Sequence, residues 1–222
     1  RARSLRGSID GYDTILGVTA MTWSVQVDTG EHPVWLVGIT DEMVDAAASN
    51  TERDMVIDES RSLNQKEREA VKGNLGELVA QELIVQGSDA DRWDYYDGFE
   101  TDLVRDESLR LDVKTRDLAN GFGALLCRRR FRHKDCGGAI TSGGHNRCVE
   151  CGAVSPDAER EDLHSHMYLL VNIDPGMEFA YVIGIASAPK VEEAVWLDWL
   201  PDPAHELDQS DLDDASALLG WA

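Results

Sequence analysis

Two groups of side chains in this chain are of types and spacings that can do chemistry. The first lies in the stretch Asp-Leu-Val-Arg-Asp-Glu-Ser-Leu-Arg-Leu-Asp-Val-Lys, residues 102–114, where Asp102 opens and Asp112-Val-Lys114 closes. Two carboxylates beside an ammonium group can hold a hard divalent cation and set positive charge where a phosphate or an attacking water would sit. With 42 acidic residues and five lysines, an acid-x-Lys triplet arises about once by composition, so the context carries the weight. The second group is His133-Lys-Asp-Cys136-Gly and Cys148-Val-Glu-Cys151-Gly. Each unit places two soft or borderline ligands three apart with glycine directly after the second, the turn of a zinc knuckle. Together they read as a Cys3His zinc ribbon. His145 and Cys127 are the alternatives to His133 as fourth ligand, although Cys127 ends the strand-like Ala-Leu-Leu-Cys, where a buried core thiol is expected. Running straight into the first knuckle are Arg128, Arg129, Arg130 and Arg132, whose guanidinium groups suit bidentate contact with phosphate.

These residues need elements to position them. Leu103 and Val104 on one side of a polar tip, and Leu109, Leu111 and Val113 on the other, predict a β-hairpin. Alternation then sends Asp112 and Lys114 to one face and Val113 to the other, into a core. A helix is expected over residues 66–86, stopped by Gly87. Val71, Leu75, Leu78 and Val79 form its aliphatic stripe, and Ala70, Gly73, Glu77, Ala80 and Ile84 form a second face whose small residues permit close approach to a sheet. Glu77 is the polar group on that face, and Glu82, inside the stripe, is its rival as a functional carboxylate. Upstream, residues 23–27 and 33–39 predict a hairpin, 41–48 a short helix and 49–64 a charged linker. Trp93, Tyr95 and Tyr96 alternate as a core strand does, or would stack on bases. Strands are expected over 167–173 and 179–185, with His164 and His166 structural, and the acidic tail 196–222, punctuated by Leu212, Leu218 and Leu219, reads as a capping helix.

At 222 residues and a net charge of −21, the chain suits one domain with attachments. The expected division is an N-terminal extension over 1–64 and an α/β domain over 65–222, with the ribbon inserted at about 131–155. No apolar run approaches the roughly eighteen residues that span a bilayer, and the arginine-rich start does not read as a secretion signal, so no membrane partner and a cytoplasmic location are expected. A disulfide is not expected in such a compartment. Aspartate outnumbers glutamate and arginine outnumbers lysine, a bias that resembles proteins of salt-loving archaea. An acidic mimic of nucleic acid, or a partner for a basic protein, is the competing account of the charge.

The order Gly73-Asn-Leu-Gly-Glu77 on a helix, Asp102-Leu-Val, then Asp112-Val-Lys-Thr115 resembles the PD-(D/E)XK nuclease superfamily, which includes restriction endonucleases and Holliday-junction resolvases. The later strand pair fits as well, so the similarity spans about residues 66–187; no proline precedes Asp102, and Asp97 is a weaker alternative for the first acid. The resemblance implies a restriction-endonuclease-like mixed sheet flanked by helices and a Mg²⁺- or Mn²⁺-dependent DNA endonuclease. In it Glu77, Asp102, Asp112 and the Val113 carbonyl would bind magnesium, and Lys114 would orient the attacking water. The ribbon's one structural zinc and the arginine cluster would grip the DNA backbone, and a homodimer would suit a two-strand cut. The alternative is an inactive zinc-ribbon nucleic-acid-binding protein, or an acidic adaptor, on the same fold.

Overall fold

A computed structural model of the chain describes residues 24–28, 33–54, 63–87, 90–98, 101–118, 123–141, 147–200 and 203–219. In chain order its strands are β1 (Ser24–Asp28), β2 (Pro33–Gly38), β3 (Trp93–Gly98), β4 (Thr101–Arg105), β5 (Leu109–Asp117), β6 (Leu125–Arg128), β7 (Phe131–His133), β8 (Ile140–Thr141), β9 (Arg147–Cys148), β10 (Ala158–Arg160), β11 (Met167–Ile173), β12 (Phe179–Ser187), β13 (Val195–Leu197) and β14 (Ala204–Leu207). The helices are α1 (Asp41–Asp54), α2 (Leu63–Val85) and α3 (Ala188–Glu193). Seven strands form a mixed sheet in the order β1-β2-β12-β11-β5-β4-β3, which makes the chain α/β. Its neighbours are antiparallel except β5 and β11, which run parallel. A parallel pair needs a long crossover, and here the crossover carries β6 to β10, both knuckles included.

The N-terminal hairpin is not a separate attachment. β2 pairs with β12, Trp35 opposite Val182, and so β1 and β2 complete one side of the central sheet. Helix α1 starts where the Thr40 hydroxyl accepts the Met43 N–H at 3.3 Å. It continues to Asp54, past the expected end, because Asn74 Nδ2 on α2 donates to Ala47 O at 3.3 Å and to Thr51 Oγ1 at 3.2 Å, tying its last turns to α2.

Two cores form, one on each face of the sheet. On the first, Leu75, Leu78, Val79 and Leu83 of α2 pack against Leu103, Leu111, Val113, Leu169 and Val171. On the second, Leu125 and Cys127 of β6, Val191 of α3 and Leu207 of β14 pack against Val34, Tyr168, Leu170 and Ile183. The tail is strand and 3-10 turns rather than a helix: β13, β14 and β6 make a small sheet, and Ile185 and Asp213 exchange backbone hydrogen bonds of 2.9 and 2.8 Å. That exchange seats Leu212 in the second core and Leu218 in the first.

Close approach of α2 to the sheet runs through Gly76, where a Cβ would lie 1.9 Å from Thr115 Oγ1 and 3.0 Å from Thr115 Cβ, whereas a Cβ at Gly73 would meet nothing within 4 Å. Opposite outcomes are expected for the two alanine variants. Gly73→Ala should gain up to about 1 kcal/mol from helix propensity. Gly76→Ala gains the same but must displace Thr115, an overpacking cost of about 1–3 kcal/mol, and should end destabilised. Urea denaturation of the two variants measures this directly.

Candidate active site and metal centre

The antiparallel register of β4 and β5 pairs Leu103 with Leu111, so Asp102 stands opposite Asp112 one residue on, on the face opposite the α2 core. The turn that sets this register holds Asp106 and Glu107 in the left-handed region, φ 49° and 60°, with the Asp106 carboxylate clamped by Arg92. Aspartate tolerates that conformation through its short polar side chain. Beyond Leu111 the strands part, and the Asp102 carboxylate takes the Val113 N–H at 2.5 Å in place of a ladder partner.

Asp112 is the hub. Its carboxyl group hydrogen-bonds to that of Asp102 and accepts Lys114 Nζ at 2.5 Å. Burial, and then the charge of Asp112, push the Asp102 carboxyl up to about 7, although the Val113 N–H and Lys114 pull the other way. Burial also works against the Lys114 ammonium, but Asp112 and Asp102 outweigh it and hold its pKa above the ordinary value. The side chains of Asp112 and Lys114 remain 16% and 33% exposed, so the group is sheltered yet reachable. Two carboxyls in contact, the Asp102 one raised by burial and by its neighbour's charge, are a donor set that a hard divalent cation would satisfy.

A carboxyl whose pKa is higher in the folded than in the unfolded chain stabilises the fold below its unfolded pKa, and loses that contribution as pH rises through the folded value. The window for Asp102 is therefore from about 4 to about 7. In Mg²⁺-free buffer Asp102→Asn, whose amide reproduces the protonated acid, should melt like the wild type at pH 4.5 and above it at pH 8. Calorimetry at the two pH values reads the difference.

The surroundings of the pair are fixed by the parallel neighbour. β11 places Tyr168 beside Asp112 and Leu170 beside Lys114, and β6 brings Cys127 onto the same face. Burial raises both the Tyr168 phenol and the Cys127 thiol, the latter to about 12, so neither is a nucleophile at neutral pH. Cys127 is thus the core thiol that its strand pattern predicts, apart from the knuckles.

Glu77 sits half-buried on α2, whose Leu75, Leu78 and Val79 pack on the other face of β5. Glu82 is half-buried on the same helix and accepts Gln86 Nε2 at 3.5 Å. Trp93 is core, and the side chains of Tyr95, Tyr96 and Asp97, together with all of His145, lie outside the described residues.

The second centre is assembled by the crossover. His133 Nδ1 and the sulfurs of Cys136, Cys148 and Cys151 all lie within 4.8 Å of one another, so this quartet could hold a metal ion such as zinc. His133 Nδ1 is 3.1 Å from Cys136 Sγ and 3.3 Å from Cys151 Sγ, and Cys136 Sγ is 3.3 Å from Cys148 Sγ. Each knuckle closes with a glycine at φ 71°, Gly137 N–H donating to His133 O and Gly152 N–H to Cys148 O. The Cys151 and Glu150 N–H groups donate to the Cys148 sulfur, and the first of these is the main cause of its pKa falling to about 6. The Gly138 N–H acts likewise on Cys136, but the neighbouring sulfurs and burial push that thiol up to about 11. His133 Nε2 faces the Asp135 carboxylate at 3.4 Å, the outer partner that fixes the tautomer of a ligating imidazole.

The arginine cluster divides. Arg129 is buried, with Nη1 donating to Glu161 O and Nη2 to Glu192 at 3.0 Å each. Arg132 is paired with Glu161, and Arg128 and Arg130 are exposed. Period-two burial at Leu125, Cys127 and Arg129 was readable in the sequence and separates Arg129 from its neighbours. No protein-family model and no curated protein matches this chain, and no described helix is long and apolar enough to cross a membrane.

Proposed function

We propose that this chain is a divalent-metal-dependent deoxyribonuclease of PD-(D/E)XK type, with a structural zinc in its ribbon. The observation that supports it is the convergence of Asp102, Asp112 and Lys114 on one half-sheltered face, two carboxyls in hydrogen-bond contact with an ammonium 2.5 Å from one of them. Asp102 and Asp112 would hold Mg²⁺ or Mn²⁺. In a strand the N–H and C=O of one residue point to the same neighbour, so the Val113 carbonyl opens toward Asp102 as its N–H does. A bound cation supplies a polarised phosphate and a water of lowered pKa. Asp112 fixes Lys114, and Lys114 offsets charge that develops on the phosphate as the bond to the leaving oxygen breaks. The Cys127 thiol and the Tyr168 phenol back the site as neutral groups and leave water as the attacking species.

Zinc suits the ribbon because three sulfurs and one imidazole fill four tetrahedral positions and leave none for a substrate. Plasmid nicking with and without Mg²⁺, at low and high KCl, tests the nuclease. Relaxed circles should form only with the cation. DNA retention without cleavage would instead favour the second reading, a zinc-ribbon binding protein on the same fold. What speaks for that reading is the ribbon quartet, which can hold a metal ion without any part in the acid pair.

A further inference from the structure

Alternate residues of a strand share a face, so β5 presents Arg110, Asp112, Lys114 and Arg116 in one row. Arg116 is engaged, Nη1 donating to Ala124 O at 2.8 Å. Arg110 is exposed, and among the described residues its guanidinium has no hydrogen-bonding or ionic partner. Its backbone, in contrast, is pinned by His166: its N–H donates to His166 Nδ1 at 3.1 Å and its carbonyl accepts the His166 N–H at 3.0 Å. Of the other described arginines, Arg92 is held by Asp106, Arg129 by Glu192 and Arg132 by Glu161, and Arg105 lies over Trp93 and Arg160 over Trp196, while exposed Arg68 on α2 is, like Arg110, without a partner among the described residues. What sets Arg110 apart in a chain with twice as many acidic as basic side chains, 42 against 21, is its place in the row of β5, directly beside the acid pair.

Among the described residues the ground around it is open: those buried in the second core come from β2, β6, β11, β12, β14, α3 and the tail, and none from β3, β4 or β5. The same face of those three strands carries exposed Asp94, half-buried Val104 opposite Arg110, and then Asp102 and Asp112. A ledge therefore extends from the covered side of β5 outward, with Asp112 and Lys114 at its inner margin.

We propose that Arg110 takes the phosphodiester next to the one placed at Asp112 and Lys114, so that the substrate is a nucleic acid strand lying along β5 rather than a mononucleotide. Two residues of strand advance about 7 Å, which moves the contact from the reacting phosphate to its neighbour. A free guanidinium binds phosphate oxygens bidentately, and such contacts set affinity and register without reading bases. The inference rests on the nuclease reading above.

The test uses the full chain with its ribbon metal, a fluorescent duplex oligonucleotide, binding measured in Ca²⁺ across a KCl series, and cleavage measured in Mg²⁺. Arg110→Ala should raise KM about tenfold and leave kcat within about twofold, because a lost phosphate contact removes uniform binding. Its plot of log affinity against log salt should be shallower by about 0.9, one phosphate's worth of released counterions. Arg110→Lys should keep the slope, since the charge remains, with KM in between. An unchanged slope in Arg110→Ala, with wild-type cleavage intact, overturns the inference alone. A wild-type protein that neither cuts nor binds overturns the nuclease reading and this inference together.

Discussion

Asp112→Ala should lower Mg²⁺-dependent cleavage by about 10³-fold or more, the scale seen when one preorganised electrostatic group is removed from a reacting centre. The size of the effect follows from its position as hub. Asp112 touches Asp102 on one side and Lys114 on the other, so its loss removes a cation ligand and frees the ammonium from its anchor in the same step. The remaining carboxyl is relieved of its neighbour's charge, and Asp102 should titrate lower than in the wild type. Asp102 remains as counter-charge to the sheltered Lys114, so the fold should hold, and a cooperative melt with unchanged far-UV circular dichroism separates lost chemistry from lost structure. Lys114→Ala should lose cleavage by a similar factor with cation affinity retained, which titration calorimetry with Mn²⁺ would report. Glu77→Ala tests the third acid that the resemblance implies: a loss on the same scale as that of Asp112→Ala would add the half-buried glutamate of α2 to the site. Cleavage by Asp112→Ala at the wild-type rate would remove the assigned site outright.

How much of this was legible depended on how local the determinant is. The β4–β5 hairpin could be read because Leu103, Leu109, Leu111 and Val113 alternate around a polar tip, and the same alternation sets Asp112 and Lys114 on one face. The aliphatic stripe of α2 and the apolar runs of β11 and β12 were equally plain. The side of the sheet on which α2 lies was not. Glu77 follows Gly76, and the helix period alone places it near a sheet, but the side is fixed by packing of Gly76 on Thr115, a residue of opposite parity to Asp112. Nor could the sequence tell that β2 pairs with β12, a contact made across most of the chain, and so the N-terminal hairpin read as an attachment. The tail misled for a similar reason. Leu212 and Leu219, seven apart, suit one helical stripe, yet the backbone exchange between Ile185 and Asp213 sends Leu212 to the second core and Leu218 to the first.

The parity rule applied one strand later would have found more. Arg110 shares its face with Asp112 and Lys114, and Arg129 shares its face with Leu125 and Cys127. A cluster of arginines suggests a single basic patch. Alternation splits it into a buried strut and exposed side chains, and the free cation beside the acid pair lies on another strand altogether.

For the ribbon, Cys151→Ser should empty the metal centre and unfold residues 131–160 while the central sheet stays folded. The full-length wild-type protein should retain about one zinc per chain through gel filtration, and the variant less than about a tenth of that. Zinc binding to such quartets is worth about 10–16 kcal/mol in isolated fingers at neutral pH, so binding is folding for a segment that small. The segment has little else to hold it. Ile140 is half-buried, Val149 and Val154 are 64% and 62% exposed, and neither sheet core draws a residue from β7 to β10. Without the metal, two short strand pairs and two glycine turns must stand alone, and isolated hairpins are at best marginal in water. Limited trypsin digestion should then cut the variant after Lys134 and Arg147 long before the rest of the chain, with far-UV circular dichroism largely kept. Because Arg129 and Cys127 anchor β6 to the second core upstream of the ribbon, the acid pair should keep its geometry, and Mn²⁺ affinity should change by less than about threefold. A variant that holds zinc as tightly as the wild type, or that resists trypsin at both sites, would show that Cys151 is no ligand.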